Sequence, residues 1–310
     1  MTASPLTALA RGGKPALAAA LARLEQAPEA EATLALLDAA YGSPRAHVVG
    51  VTGPPGVGKS TLIGALIGAW RRAGETVGVV AVDPSSRVSG GALLGDRTRL
   101  RTDPEDEGVF VRSMAARDKL GGLAALTVSA MVLMRALYDK VIIETVGVGQ
   151  SETDVAGTAD TVVLCLQPGS GDSLQFMKAG IVEIPHIAVV TKSDLGEPAE
   201  RARNDALGVL GLAEHDADDW QVPVLLLSSL RRDGIDQLME AVARHWRWLG
   251  DSDRLASARR AQAAHWLIEG VREAFGRDGL RRVGALTLPG GASPFRAAAD
   301  LAMKLRGAQS

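Results

Sequence analysis

A chain of 310 residues, 46% hydrophobic and 23% charged, can bury the core of one large α/β domain with helical appendages. A formal net charge of −2 and a pI near 6.2 give no general electrostatic drive toward nucleic acid or an anionic membrane, so the expected partners are proteins and nucleotides. The single cysteine excludes an intrachain disulfide; with no basic-then-apolar opening and no apolar run approaching ~18 residues, the expectation is a cytoplasmic chain without signal peptide or membrane span.

Residues 1–45 are rich in alanine and leucine and poor in strand formers, which predicts two short helices as an N-terminal extension. Tyr41-Gly42-Ser43-Pro44 closes them. The apolar run at 47–52 then opens a main domain over 46–249, with His47 read as structural. Further apolar runs at 77–82, 109–111, 141–143, 161–166, 187–190 and 222–227 alternate with helix-like stretches. That alternation predicts an α/β fold with a mainly parallel, doubly wound sheet, in which ligands sit at the carboxyl ends of the strands. Cys165, inside the 161–166 run, reads as a buried strand residue and not as a nucleophile or ligand.

Residues 250–310 form a charged C-terminal helical arm. Within 251–276, apolar positions at Leu255, Ala258, Ala261, Ala264 and Leu267 suit an oligomer contact, and suit equally a helix folded back on its own domain. A Pro/Gly turn at 288–294 precedes a last helix ending near Arg306.

The segment Gly53-Pro54-Pro55-Gly56-Val57-Gly58-Lys59-Ser60-Thr61 fits the spacing G-x-x-x-x-G-K-[ST] between a strand-like run and the helix-like run 61–72. Such a loop turns successive N–H groups toward a phosphate and adds the positive end of the following helix. Lys59 is expected to reach the β- and γ-phosphates, Ser60 to put its hydroxyl on Mg²⁺, and Thr61 to touch the phosphates nearer the nucleoside. An unliganded strand-to-helix turn would need neither the lysine nor the two hydroxyls.

Each later motif also follows a strand. Asp83 stands after the second, a candidate for holding Mg²⁺ through water, although Asp83-Pro84 is also an ordinary turn. The polar, glycine-hinged stretch 90–99 suits ordering around a γ-phosphate; Asp96 is a further metal candidate, and among Arg97, Arg99 and Arg101 the best placed to stabilise transition-state charge is Arg99. Glu144 follows the 141–143 run and is expected to act on the Mg²⁺ shell or its water, with Gly147 offering an N–H to the γ-phosphate. Gln150 is open to two readings, orienting water or capping its loop.

Thr191-Lys192-Ser193-Asp194 fits [NT]-K-x-D, the base-reading element of GTP-binding domains. The Asp194 carboxylate accepts from guanine N1–H and the N2 amine, whereas adenine offers neither donor and would leave the acceptor unpaired. Lys192 is expected to lay its stem along the base, and Ser228, Ser229 and Leu230 to complete the pocket with hydroxyl and N–H contacts. The expected ligands are GTP or GDP with Mg²⁺.

Taken together, Asp83-Pro-Ser-Ser86, the segment 89–99, Glu144-Thr-Val-Gly-Val-Gly-Gln-Ser-Glu152 and the segment 168–181 resemble the MeaB family of GTPases, bacterial relatives of the human methylmalonic aciduria type A protein. The resemblance covers most of the chain. It implies a GTPase chaperone, slow alone and stimulated by its partner, that gates cofactor loading by an adenosyltransferase and protects or reactivates an adenosylcobalamin-dependent acyl-CoA mutase. It also implies a third mobile segment at 168–181, with Lys178 coupling partner binding to hydrolysis, and a homodimer formed through the C-terminal arm. The chain departs from the family pattern at Thr191, where asparagine is commoner and an amide brace is lost, at Ile184-Pro185-His186, and around 211–220.

Two other functions fit the same fold. A nickel-enzyme maturation GTPase would carry Cys and His ligands near its switch region, against which stand one cysteine and five scattered histidines. A metabolic kinase or transport ATPase is disfavoured by Asp194.

Overall fold

The computed structural model describes residues 4–84, 100, 102–116, 125–145, 155–169, 184–211 and 218–307. Asp96, Arg97, Arg99, Arg101, Gly147, Gln150 and Lys178 lie outside the described residues, as do most of the segments around them and residues 212–217.

Among the described residues seven strands form one sheet: β1 (His47–Thr52), β2 (Val77–Pro84), β3 (Val109–Ala116), β4 (Lys140–Glu144), β5 (Thr161–Leu166), β6 (Ile187–Val190) and β7 (Val224–Leu226). Their order is β3-β2-β4-β1-β5-β6-β7, and all six ladders are parallel. The chain winds to one side of β1 through β2 and β3, then returns to place β4 and β5 on its two flanks, so β1 ends where the winding reverses. Every residue of β1 and β5 is buried, as a parallel sheet covered on both faces requires.

Nine α-helices are found among the described residues. They are α1 (Pro5–Arg11), α2 (Gly13–Gln26), α3 (Glu31–Tyr41), α4 (Lys59–Arg72), α5 (Ala125–Leu137), α6 (Glu197–Leu210), α7 (Ile235–Gly250), α8 (Arg254–Val283) and α9 (Pro294–Gly307). None is long and apolar enough to cross a membrane.

The chain divides into two compact units. One spans His47–Leu123 and Asp139–Arg254 and holds the whole sheet. On one of its faces, Leu62, Ile63, Leu66 and Trp70 of α4 and Leu238 and Val242 of α7 pack on Val49, Val51, Val79, Ile142 and Val163. On the other, Ala199 and Ala206 of α6 join Leu164, Leu166 and Val190. Alternate residues of β5 thus serve opposite cores, as the period of a strand dictates.

The second unit comprises Met1–Ala46, Ala124–Tyr138 and Leu255–Ser310. Residues 1–45 hold three helices where two were expected, since Gly12 and Gly13 break the first stretch, Gly13 with φ of +59°. Arg135 is fully buried with its guanidinium 5.9 Å from the Tyr41 ring and 6.0 Å from that of Trp266, while its carbonyl accepts from the N–H groups of Arg45 and Ala46. Arg296 of α9 pairs with Glu31 and Asp38 of α3, and Arg306 with Glu29. The helix expected over 251–276 runs on to Val283 across a non-helical Gly276 (φ 66°, ψ −163°). Its buried stripe is Ala263, Leu267 and Val271; of the positions read from sequence, Leu267 is inside and Ala258 and Ala261 are exposed.

The amino ends of β1, β5 and β6 meet a histidine cluster. Thr161 Oγ1 lies 2.6 Å from His47 Nε2 and 2.7 Å from His245 Nδ1, His47 stacks on Trp246, and His245 stacks on Trp248 and meets the His186 ring tilted by 33° at 4.3 Å. His186 Nδ1 accepts from the Val162 N–H and its carbonyl accepts from Trp220 Nε1. The departure at Ile184-Pro185-His186 therefore builds into this cluster.

Burial pushes His186 down to about 4 against the raising effect of Asp160, and pushes His245 down to about 2, reinforced by repulsion from His186 and His47. Both folded values lie below the unfolded value near 6.5, so the unfolded chain binds more protons and stability falls as pH drops below 6.5. For His186 alone the loss between pH 7.5 and 5 is about 2 kcal/mol. Urea midpoints followed by circular dichroism are expected to fall markedly from pH 7.5 to pH 5; equal midpoints would contradict neutral buried rings.

Candidate functional site

β1 delivers the chain into the phosphate loop at its carboxyl end. Gly53 leaves the strand with φ of +136°, and a Cβ there would collide with the backbone carbonyl of Cys165 in β5, so only glycine lets the loop turn away at this point. Pro54, Pro55, Gly56, Val57 and Gly58 lead into α4, with Val57 anchored in the core and Pro55 and Gly56 exposed. Lys59 is buried at the first position of that 14-residue helix, and its Nζ donates to Gly53 O at 2.6 Å and Pro54 O at 3.1 Å. The ammonium is thereby held against the loop's own backbone. Thr61 is exposed on the first helical turn. Cys165, beneath the loop, is wholly buried, which pushes its thiol up to about 12 despite the attraction of Lys59, and it remains a protonated core residue.

Glu144 is the last residue of β4, in register with Val51 of β1 and Ala81 of β2. Its Oε1 accepts from Ser60 Oγ at 2.7 Å, joining positions 84 residues apart. Asp83, two residues past Ala81, lies at the same edge of the sheet, its backbone paired with Ala115. A hydroxyl and a carboxylate are hard oxygen donors of the kind that a small divalent cation takes beside phosphate oxygens. No group of three His, Cys, Asp or Glu suited to a metal exists among the described residues.

The segments expected to read the base stand at the carboxyl ends of β6 and β7. Asp194 lies in a 3₁₀ turn, Ser193–Leu195, and its Oδ1 accepts from Ser228 Oγ at 2.6 Å. That bond, with one from its own backbone N–H, holds its carboxyl below the ordinary range, so it is an ionised acceptor at neutral pH. Ser228 is itself fixed by a pair of backbone hydrogen bonds with Asp233. Ser229 is half-buried in the turn that follows, and Leu230 is 85% exposed.

Thr191 corrects an expectation. Its hydroxyl lies 2.7 Å from Val57 O and 3.0 Å from Leu166 O, so the base loop is braced on the phosphate loop by a hydroxyl in place of the amide. Lys192 Nζ adds a second tie, donating to Gly56 O at 3.1 Å and to Gln167 Oε1 at 2.9 Å. Sequence reasoning also passed over Thr145, whose hydroxyl donates to that of Thr52 at 2.9 Å and fastens the end of β4 to that of β1. A threonine after an apolar run carries no signal that would single it out.

One edge of the sheet thus gathers the phosphate loop, the Ser60 and Glu144 pair and the base-reading loop. Residues 17–279 match the model of the MeaB family, described as methylmalonyl Co-A mutase-associated GTPase. A Pyrococcus horikoshii protein is 46% identical over 220 residues, covering 70% of this chain and 69% of its own. The methylmalonic aciduria type A homolog of Mus musculus, a mitochondrial protein, is 38% identical over 275 residues, or 85% of this chain and 66% of that one. The crystal structure of an LAO/AO transport system kinase aligns with a TM-score of 0.69 at 28% identity over 98% of this chain and 96% of its own. By the extent of the match, the chain belongs to the MeaB family and is a P-loop GTPase.

Proposed function

We propose that this protein binds and hydrolyses GTP to gate cofactor loading and to protect or reactivate an adenosylcobalamin-dependent acyl-CoA mutase. The observation that carries the reading is the match of residues 17–279 to a family described by its association with methylmalonyl Co-A mutase. In this reading the phosphate loop wraps the β- and γ-phosphates, and Lys59 exchanges its loop carbonyls for phosphate oxygens. Ser60 and Glu144 hold Mg²⁺, directly or through water, with Asp83 and Asp96 as further candidates. Mg²⁺, when bound, neutralises charge on the phosphates. Asp194 reads the base, and Lys192, Ser229 and Leu230 frame it.

Residues 46–249 are the hydrolysing domain in this reading, with 1–45 and 250–310 as flanking helical pieces. The exposed Ala258 and Ala261, with half-buried Leu255 and Ala264, leave a stripe on α8 for a second copy of the chain. Hydrolysis is slow alone because the full set of charge-stabilising groups, with Arg99, Gln150, Gly147 and Lys178 among its candidates, is completed only by the mutase, with or without its adenosyltransferase.

Steady-state GTP turnover is expected to rise at least tenfold on adding the client mutase, and GTP to be used in preference to ATP. Unchanged rate and nucleotide affinity with methylmalonyl-, isobutyryl-, ethylmalonyl- and hydroxyisobutyryl-CoA mutases would overturn the reading. A preference for ATP would favour the kinase or transport alternative.

A further inference from the structure

We infer that Gln167 is a positioning residue for guanine nucleotides, holding the Lys192 ammonium so that the lysine stem is set against the base before the nucleotide arrives. The inference rests on the reading of Lys192 and Asp194 as the base site.

Lys192 stands in the left-handed region, at φ 55° and ψ 42°, where a residue with a Cβ is strained. Its side chain is exposed, and an unanchored lysine keeps rotamer freedom that ordering must overcome. Here Nζ is fixed at two points. Gly56 O, at 3.1 Å, belongs to the phosphate loop, and Gln167 Oε1, at 2.9 Å, comes from the residue that leaves β5. Ammonium has only donors, so the Gln167 amide must turn its oxygen toward it.

Of the two acceptors, Gly56 O is backbone, leaving Gln167 Oε1 as the one that a substitution can remove. Because Gln167 directly follows Leu166, whose carbonyl is the second acceptor near Thr191 Oγ1, the end of β5 steadies both the backbone and the side chain of the base loop. An apolar residue at 167 would keep the first support and lose the second. Order of this kind favours binding by lowering the freedom lost when the ligand arrives.

Binding of a fluorescent GDP analogue to the full chain tests this. Q167L is expected to weaken affinity about fivefold, chiefly through faster dissociation, as befits one partly exposed charge-assisted hydrogen bond. Q167E, which keeps an acceptor, is expected to stay within about twofold of the parent. In a K192M background Q167L should add nothing, since its effect runs through that ammonium. Parent-like binding by Q167L, equal weakening in Q167L and Q167E, or additive losses in the double variant would each overturn the proposal. If K192M itself binds like the parent, the base-site reading fails with it; if K192M is weak and Q167L is not, only the role of Gln167 fails.

Discussion

Replacing Lys59 by alanine is expected to reduce GTP affinity by a hundredfold to a thousandfold, roughly 3 to 4 kcal/mol, while leaving the fold intact. The magnitude follows from burial. Lys59 is 7% exposed, so its ammonium meets the phosphates with little competition from water, and removing it leaves phosphate charge facing the loop without its counter-charge. The fold should survive because the Gly53 and Pro54 carbonyls that accept from Nζ stand beside the solvent-facing Pro55 and Gly56, where water can replace the ammonium. Titration with a fluorescent GTP analogue reads the loss, and circular dichroism reads the fold. Affinity within tenfold of the parent would remove Lys59 from the phosphate site.

The second large effect is expected from Asp194→Asn. Ser228 Oγ donates to Oδ1, and an asparagine would keep that bond by placing its amide oxygen there. Its NH₂ group must then occupy the place of Oδ2. Against guanine this sets a donor on the N2 amine, also a donor, and the preference for GTP over ATP should fall by a factor of at least 10², toward the order of 10⁴ known for sites whose buried hydrogen-bonding group is mismatched. Xanthine carries a carbonyl where guanine has that amine, so XTP should bind the variant better than the parent. Competition titrations with GTP, ITP, XTP and ATP resolve these cases. Undiminished GTP preference in D194N would show that another group reads the base.

The strands were legible because a parallel sheet buried on both faces demands unbroken apolar runs, and all seven runs became strands. Their ends were less so. β2 and β3 pair on to Pro84 and Ala116, past Arg112 and Ser113, because ladder hydrogen bonds at an edge strand do not require apolar side chains. The break at Gly276 was hidden by a helical pattern on both sides of it.

Spacing alone singled out Lys59, Ser60, Glu144 and Asp194 as candidates, since these chemistries occur at fixed places after a strand. It misjudged Thr191 by treating the brace as a property of an amide, when a hydroxyl reaches the same Val57 carbonyl. Gln167 and Thr145 were invisible because their roles depend on partners 25 and 93 residues away, which no local pattern encodes.

The histidine cluster also governs how this protein looks under ultraviolet light. Trp220, Trp246 and Trp248 pack around it, and Trp70 lies beside Lys140 at the start of β4, so four of the five indoles occupy the amino ends of the strands. In the proposed reading, phosphates and base lie at the opposite ends, a strand's length of about 17 to 20 Å away. Emission from these four indoles is therefore expected to report whether the sheet is folded and to change little when nucleotide binds, so ligand titrations call for an extrinsic dye.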